Sequence, residues 1–213
     1  MIKEVSKEMA RPKRGSWRKL KKVARYLIGR CKVTWLFDWQ DEPKYAYVYG
    51  DSDWGGTVRD RRSTSGGLLM LGGHCIKSWS ATQHAYALSS AEAELYAMVE
   101  SVTRAKGLLT LLGELGFGDV SSVVKLGTDS AAAKSFVCRR GLGRMRHLQI
   151  RDLWLQKEVR EGRVEVSKIP GERNPADLMT KILTVPEIRS RLGSMSIKMS
   201  ELGDEDQIKM KKS

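Results

Sequence analysis

Apolar and polar positions recur with two different periods along the chain, and the places where the period changes outline its elements. Over residues 16–29, Trp17, Leu20, Ala24 and Leu27 fall at helical spacing while Arg18, Lys19, Lys21, Lys22 and Arg25 take the other faces. This predicts a basic amphipathic helix with Ser16 as its N-cap. An extended stretch from Cys31 then runs into a polar break at Gln40-Asp41-Glu42-Pro43-Lys44. From Tyr45 the period shortens to two, and residues 45–51, 66–71 and 75–79 read as a three-stranded meander, its last two strands joined at Leu71-Gly72-Gly73-His74. The helical period returns over 89–115, where Ala91, Leu95, Met98, Val102, Ala105, Leu109 and Leu112 form one stripe, Ser89 or Ser90 caps and Gly116 stops. A fourth strand over 123–128, a short helix from about Ser130, a helix over 146–161 and a fifth strand over 164–169 follow. Asn174 at the N-cap and Pro175 at the first helical position open a last helix. From about residue 184, the spacing of Met195 and Met199, a Gly-Asp-Glu-Asp cluster and a Lys-rich end predict a flexible tail over 183–213.

Composition adds class and charge to this outline. A chain of 213 residues that is 41% hydrophobic can bury a core, which sets aside wholesale disorder. Its mean hydropathy is −0.39, and no apolar run approaches the roughly 18 residues of a membrane span, so no membrane partner is expected. The first 17 residues carry charges without an apolar stretch behind them, so no secretory signal is expected. Cys31, Cys75 and Cys138 are odd in number and form no CxxC pair. That indicates neither a disulfide framework nor a zinc site, and fits a reducing, intracellular compartment, cytoplasmic or nuclear. The net charge of +13 is unevenly spread, with +8 in residues 1–44, +4 in 45–182 and +1 in 183–213. Between Asp129 and Asp152 there is no acid at all, yet Lys134, Arg139, Arg140, Arg144, Arg146 and Arg151 lie there. Such a stripe attracts a polyanion by Coulomb steering and counterion release, although a solvated basic surface accounts for the charge equally well.

Against this basic background, four acids fall at element ends. Asp51 closes the first strand, Glu94 lies in the first turns of the long helix, Asp129 follows the fourth strand and Asp177 opens the last helix. Each has an ordinary alternative reading, since Asp is a common turn former and acids are favoured at helix N-termini. Gathered on one rim of a sheet they would repel one another unless a hard, oxygen-ligated cation such as Mg²⁺ neutralised them. Two such ions about 3.5–4 Å apart can activate an attacking water and stabilise the leaving oxygen of an in-line phosphoryl displacement.

Seven strings then carry a resemblance: YGDSDW (49–54), DRRSTSGG (60–67), KSWSATQ (77–83), SSAEAELYAM (89–98), GTDSAAA (127–133), RHLQIRDLWLQKEV (146–159) and NPADLMTK (174–181). In order and spacing they resemble the ribonuclease H domain of copia-type LTR retrotransposon Pol polyproteins, over about residues 45–182. The segment MARPKRGSWRKLKKVARYLIGR (9–30) is similar to the linker that joins reverse transcriptase to that domain, although no polymerase motif occurs in the 213 residues. The resemblance implies an α/β, ribonuclease H-like fold: a five-stranded mixed sheet, three strands antiparallel and two parallel, flanked by helices. It divides the chain into a basic linker-like segment (1–44), a ribonuclease H-like domain (45–182) and the tail (183–213). It implies an endonuclease hydrolysing the RNA strand of RNA–DNA hybrids, with two Mg²⁺ ions, replaceable by Mn²⁺, on Asp51, Glu94, Asp129 and Asp177. The implied partners are the hybrid and a reverse transcriptase polypeptide, with no small-molecule substrate.

Two assignments need arbitration. On a helical wheel Glu94 lies roughly 50° from the centre of the apolar stripe and Glu92 roughly 110°, so Glu94 is expected to reach inward and Glu92 is kept as a secondary candidate. Asp51 and Asp53 share a strand face, so only the family pattern favours Asp51, with Asp53 secondary. Arg61, Arg62, Lys134, Arg139, Arg140, Arg144, Arg146 and His147 are the candidates for holding the nucleic-acid backbone. The loop before Asp177 lacks the His that cellular ribonucleases H often carry there. Trp54 and Trp79 are expected in the core, and His74 and His84 in turns. Two competing readings are a catalytically silent hybrid-binding remnant and an integrase-like DNA transferase; the second is disfavoured by an Asp as the last acid.

Overall fold

A computed structural model describes residues 2–28, 32–57, 61–117, 123–143 and 150–200. In chain order the first elements are α1 (Ile2–Ser6), α2 (Arg14–Ile28), β1 (Lys32–Trp35), β2 (Ala46–Asp53), β3 (Thr64–Leu71), β4 (His74–Thr82) and α3 (Ser90–Glu114). They are followed by β5 (Val124–Thr128), α4 (Ala131–Cys138), α5 (Ile150–Arg160), β6 (Val164–Lys168), a 3₁₀ turn (Gly171–Arg173), α6 (Asp177–Thr180), α7 (Val185–Gly193) and β7 (Ile197–Ser200). These elements form two compact units, one spanning 37–196 and the other holding the described residues up to 36 together with Ile197–Ser200.

In the smaller unit, β1 pairs antiparallel with β7. Helix α2 starts two residues before the predicted start, and Ser16 is not its N-cap. Instead the Ser16 hydroxyl oxygen accepts the Lys13 backbone N–H at 2.9 Å, the backward arm of a capping box, and its O–H donates to Glu8. The predicted apolar stripe exists but stays open, with Trp17, Leu20 and Leu27 each exposed and the Lys21 ammonium 5.6 Å from the Trp17 ring centre.

The larger unit is built on a five-stranded sheet in the order β4-β3-β2-β5-β6. β3 pairs antiparallel with both β2 and β4, whereas β5 joins β2, and β6 joins β5, in parallel. This is the α/β, ribonuclease H-like arrangement. The β3–β4 turn needs the left-handed conformation that Gly72 adopts at φ +61°. Gln40 pins that turn, its side-chain oxygen accepting the Gly73 N–H at 2.8 Å and its amide donating to the Leu71 carbonyl at 3.1 Å.

Helix α3 is capped by Ser89, whose hydroxyl accepts the Glu92 N–H at 3.2 Å. Its stripe buries Leu95, Met98, Val102 and Ala105 completely, against Val48, Leu69 and Leu126 of the sheet and Phe136 and Leu155 of α4 and α5. Each such large side chain withdrawn from water contributes about 1.5–3 kcal/mol, before the entropy of ordering the chain is set against it.

Three further expectations differ from the structure. The segment after Asn174 is not a full helix but a single turn, α6, preceded by the 3₁₀ turn. Asn174 still caps locally, its side-chain oxygen accepting the Ala176 N–H at 3.1 Å. The tail predicted from 183 contains α7, whose Arg191 is buried, and β7; residues 201–213 lie outside the described residues. Trp54 is exposed rather than in the core, because its indole N–H reaches the Ala87 carbonyl at 3.0 Å, whereas Trp79 is buried.

Candidate functional site

The parallel β2–β5 pair fixes the first half of the site. Register pairs Tyr49 with Gly127, and Asp51 and Asp129 each lie two residues beyond that pair in the same direction. Asp177 arrives from α6, which lies close over β3 because position 66 is a glycine. A Cβ at Gly66 would stand 2.6 Å from both the Met179 Cβ and the Thr180 Cγ2. One carboxylate oxygen each of Asp51, Asp129 and Asp177 lies within 4.8 Å of the others.

Glu94 stands outside that trio but beside it. It is half-buried, its Oε1 accepts the Ser52 backbone N–H at 3.2 Å, and its buried Oε2 has no hydrogen-bond partner among the described residues. Burial, followed by the charges of Asp51 and Asp129, pushes its carboxyl up to about 8. Burial likewise pushes Asp51 up to about 6, against hydrogen bonds from Thr180 and Lys181 that pull it down.

A cation from the protein itself sits at the centre of this charge. The Lys181 ammonium is 2.6 Å from Asp177 Oδ1, 3.0 Å from Asp51 Oδ1 and 3.9 Å from Asp129 Oδ2. Burial works against its charge, but Asp177 and Asp51 outweigh that and raise its pKa above the ordinary lysine value. On the other side of Asp177, Arg191 donates from Nη2 to Oδ2 at 2.8 Å. An all-oxygen donor set, with one buried carboxylate oxygen lacking a hydrogen-bond partner among the described residues, suits a hard divalent cation, and the Lys181 ammonium occupies the place between the acids that such an ion would take. Asp51, Asp129, Asp177 and Glu94 therefore fit such an ion.

No protein-family profile matches the chain. It is 30% identical over 181 residues to the Pol polyprotein of transposon TNT 1-94 from Nicotiana tabacum, which covers 84% of this chain and 13% of that protein. It is 28% identical over 185 residues to that of transposon RE2 from Arabidopsis thaliana, covering 86% and 12%. Its homologues are copia-type retrotransposon Pol polyproteins. The Pol-related chain thus spans about an eighth of the length of the curated relatives it matches. A shorter similarity, 40% identity over 89 residues, links 42% of it to 62% of the secreted RxLR effector protein 161 of Plasmopara viticola. Among solved structures it is similar to LC11-RNase H1 in complex with RNA/DNA hybrid, with a TM-score of 0.38 and 19% identity over 63% of this chain and 92% of that one. It is also similar to RNase H1 of Halobacterium salinarum, with a TM-score of 0.39 and 17% identity over 63% and 93%.

The secondary candidates of this Pol-related chain are occupied elsewhere. Asp53 accepts the Thr64 backbone N–H at the end of the β2–β3 pair. Glu92, expected to point further from the core than Glu94, is the more buried of the two at 1% exposure. Its position on the helical wheel does not show this, because a first-turn carboxylate can fold back over its own helix end. Its Oε2 accepts the Leu88 N–H at 2.8 Å and its Oε1 accepts the Tyr96 hydroxyl.

Of the basic candidates, Arg61, Arg139 and Arg140 are exposed and Lys134 is half-buried. The Arg62 guanidinium lies 5.1 Å from the Tyr86 ring centre, and Arg139 lies over Phe136 and donates to the Leu142 carbonyl at 3.1 Å. Arg144, Arg146 and His147 lie outside the described residues. Sequence reasoning missed Thr180, Lys181, Arg191 and Asn174. Only the Asp177–Lys181 spacing of four on a helical turn offered a signal; the others act across the fold.

Proposed function

We propose that this chain is a metal-dependent endonuclease that hydrolyses the RNA strand of an RNA–DNA hybrid. The observation that carries the reading is the convergence of Asp51, Asp129 and Asp177 within 4.8 Å at the carboxyl end of the parallel β2–β5 pair, with Glu94 beside them. The homology to Pol polyproteins supports it. Bound there, divalent cations such as Mg²⁺ or Mn²⁺ supply Lewis-acid activation of water and neutralise charge developing at the scissile phosphate. The chain's own residues do the rest. The Asp51, Asp129, Asp177 and Glu94 carboxylates would hold the cations, and the Ser52 N–H, donating to Glu94 Oε1, holds that side chain beside the other acids. Strand β2 holds Asp51 and the end of β5 leads into Asp129, while exposed Arg139 and Arg140, with Lys134, offer positive charge to a phosphate backbone.

One assay tests the class and the substrate together. Purified protein is incubated with labelled RNA–DNA hybrid, duplex DNA and duplex RNA, each with Mg²⁺ or with EDTA. Cleavage of the hybrid alone, and only with metal, is the expected result. Cutting in EDTA, or equal cutting of duplex DNA, would overturn it.

A further inference from the structure

Arg191 is a buried cation that the four-acid chemistry does not use. It belongs to α7, fourteen residues beyond Asp177, and is 7% exposed. Its Nη2 donates to Asp177 Oδ2 at 2.8 Å and its Nε donates to the Asn174 carbonyl at 3.3 Å. Asn174 is itself fully buried and donates from its side chain to the Gly50 carbonyl at 3.3 Å, one residue before Asp51. A continuous set of hydrogen bonds therefore runs from the end of β2 through Asn174 and the guanidinium to Asp177.

The other oxygen of Asp177 meets a different partner. Oδ1 takes the Lys181 ammonium at 2.6 Å, and the same ammonium reaches Asp51 and Asp129. Lys181 Nζ thus marks the point that the three carboxylates share, and Oδ1 is the Asp177 oxygen turned toward it. The two cations differ in freedom. The Lys181 side chain is 41% exposed and the Arg191 side chain 8%. A lysine stem can swing its ammonium into water, whereas a planar guanidinium keeps its charge and its fixed fork of donors. Withdrawing Arg191 would strand both the Asn174 carbonyl and a buried carboxylate.

We propose that Arg191 is the positioning residue of this centre. It locks Asp177 through Oδ2 so that Oδ1 is presented to the divalent cation, and Lys181 covers Oδ1 until the cation displaces it. The proposal rests on reading the acidic cluster as a metal site, and it makes α7 part of that site.

The test is calorimetric titration of the full chain with Mn²⁺, independent of cleavage. Arg191→Met is expected to weaken Mn²⁺ binding about tenfold or more, in the range found when a group orienting a ligand is lost. Arg191→Lys should fall between it and the parent, and Lys181→Met should bind Mn²⁺ at least as tightly as the parent. In an Asp177→Asn background, adding Arg191→Met should cause no further loss. Unchanged affinity in Arg191→Met, or the same loss with and without Asp177, would overturn the proposal while leaving the nuclease reading intact. If Arg191→Met does not give a native circular dichroism spectrum, the Asp177→Asn pair decides, since no buried carboxylate is left uncompensated there. Mn²⁺ affinities as expected with no hybrid cleavage would sink the nuclease reading and support this one; no Mn²⁺ binding by the parent overturns both.

Discussion

A buried carboxylate is costly unless something positive faces it, and Asp51 illustrates both sides of that rule. It is 1% exposed, and burial pushes it up to about 6 even with Lys181 and Thr180 beside it. Asp51→Asn keeps the shape and removes the charge, so hybrid cleavage should fall by at least about a hundredfold, the upper range for losing a group that only orients a ligand. Hybrid binding should persist in a filter or gel-shift assay, and the metal-free melting temperature should be unchanged or raised. Cleavage at the parent rate would overturn the site assignment. Gly66 makes the opposite kind of prediction, because the residue matters for what it lacks. Gly66→Ala places a Cβ 2.6 Å from Met179 and Thr180, so it should destabilise by about 1–3 kcal/mol as overpacking does. By displacing Asp177 it should also lower Mn²⁺ affinity, read by calorimetry; full affinity would show that α6 tolerates the shift.

The elements were legible in the sequence wherever one period ran long enough. The stripe of α3 and the alternation at the start of β2 appear where predicted, because Leu95, Met98 and Val102 recur every 3–4 residues and strand side chains alternate every two, whereas β3 is buried on both faces over Thr64–Met70. Short or end-dependent pieces were not legible. α6 is one turn, and α7 and β7 emerged from a segment whose composition reads as tail, since their order comes from Arg191 and from pairing with β1. Helix α5 carries a testable electrostatic lock at this scale. Glu158 takes a two-pronged contact from Arg163, 2.6 and 3.0 Å, and a further one from Lys106 of α3. The Arg163 hydrogen bond, with Lys106 assisting, pulls its carboxyl from the ordinary 4.5 down to about 2 against the effect of burial. Its folded form therefore holds fewer protons than the unfolded chain between those two values, so this stabilisation is complete above about pH 4.5 and is lost as pH falls toward 2. Glu158→Gln should cost about 1–3 kcal/mol at pH 7, as charged hydrogen bonds do. In thermal melts recorded against pH, the gap from the parent should shrink as pH falls below about 4.5 and close only toward pH 2, and a gap constant across the range would refute the assignment.

At the scale of the whole molecule, a net charge of +13 surrounds a site made of acids. If Lys134, Arg139 and Arg140 each neutralise one phosphate, the salt slope contributed is near −2.7, or about fortyfold in hybrid affinity between 50 and 200 mM salt. Replacing all three by Ala should flatten the slope by that amount in fluorescence anisotropy, and an unchanged slope would move the grip elsewhere on the surface. The sequence by itself determined the main strand and helix order of residues 45–182 and the basic excess, because periodicity and turn chemistry are local properties, and it singled out the four acids, although β2 runs on past Asp51 to Asp53. The tertiary structure alone decided which acids meet. The parallel β2–β5 pairing carried Asp51 and Asp129 to the same side, a glycine let α6 bring in Asp177, and the Glu92 and Asp53 carboxylates took hydrogen bonds at a helix start and a strand end. It alone placed Lys181 and Arg191 on either side of Asp177, since a contact across fourteen residues and several elements has no period to betray it.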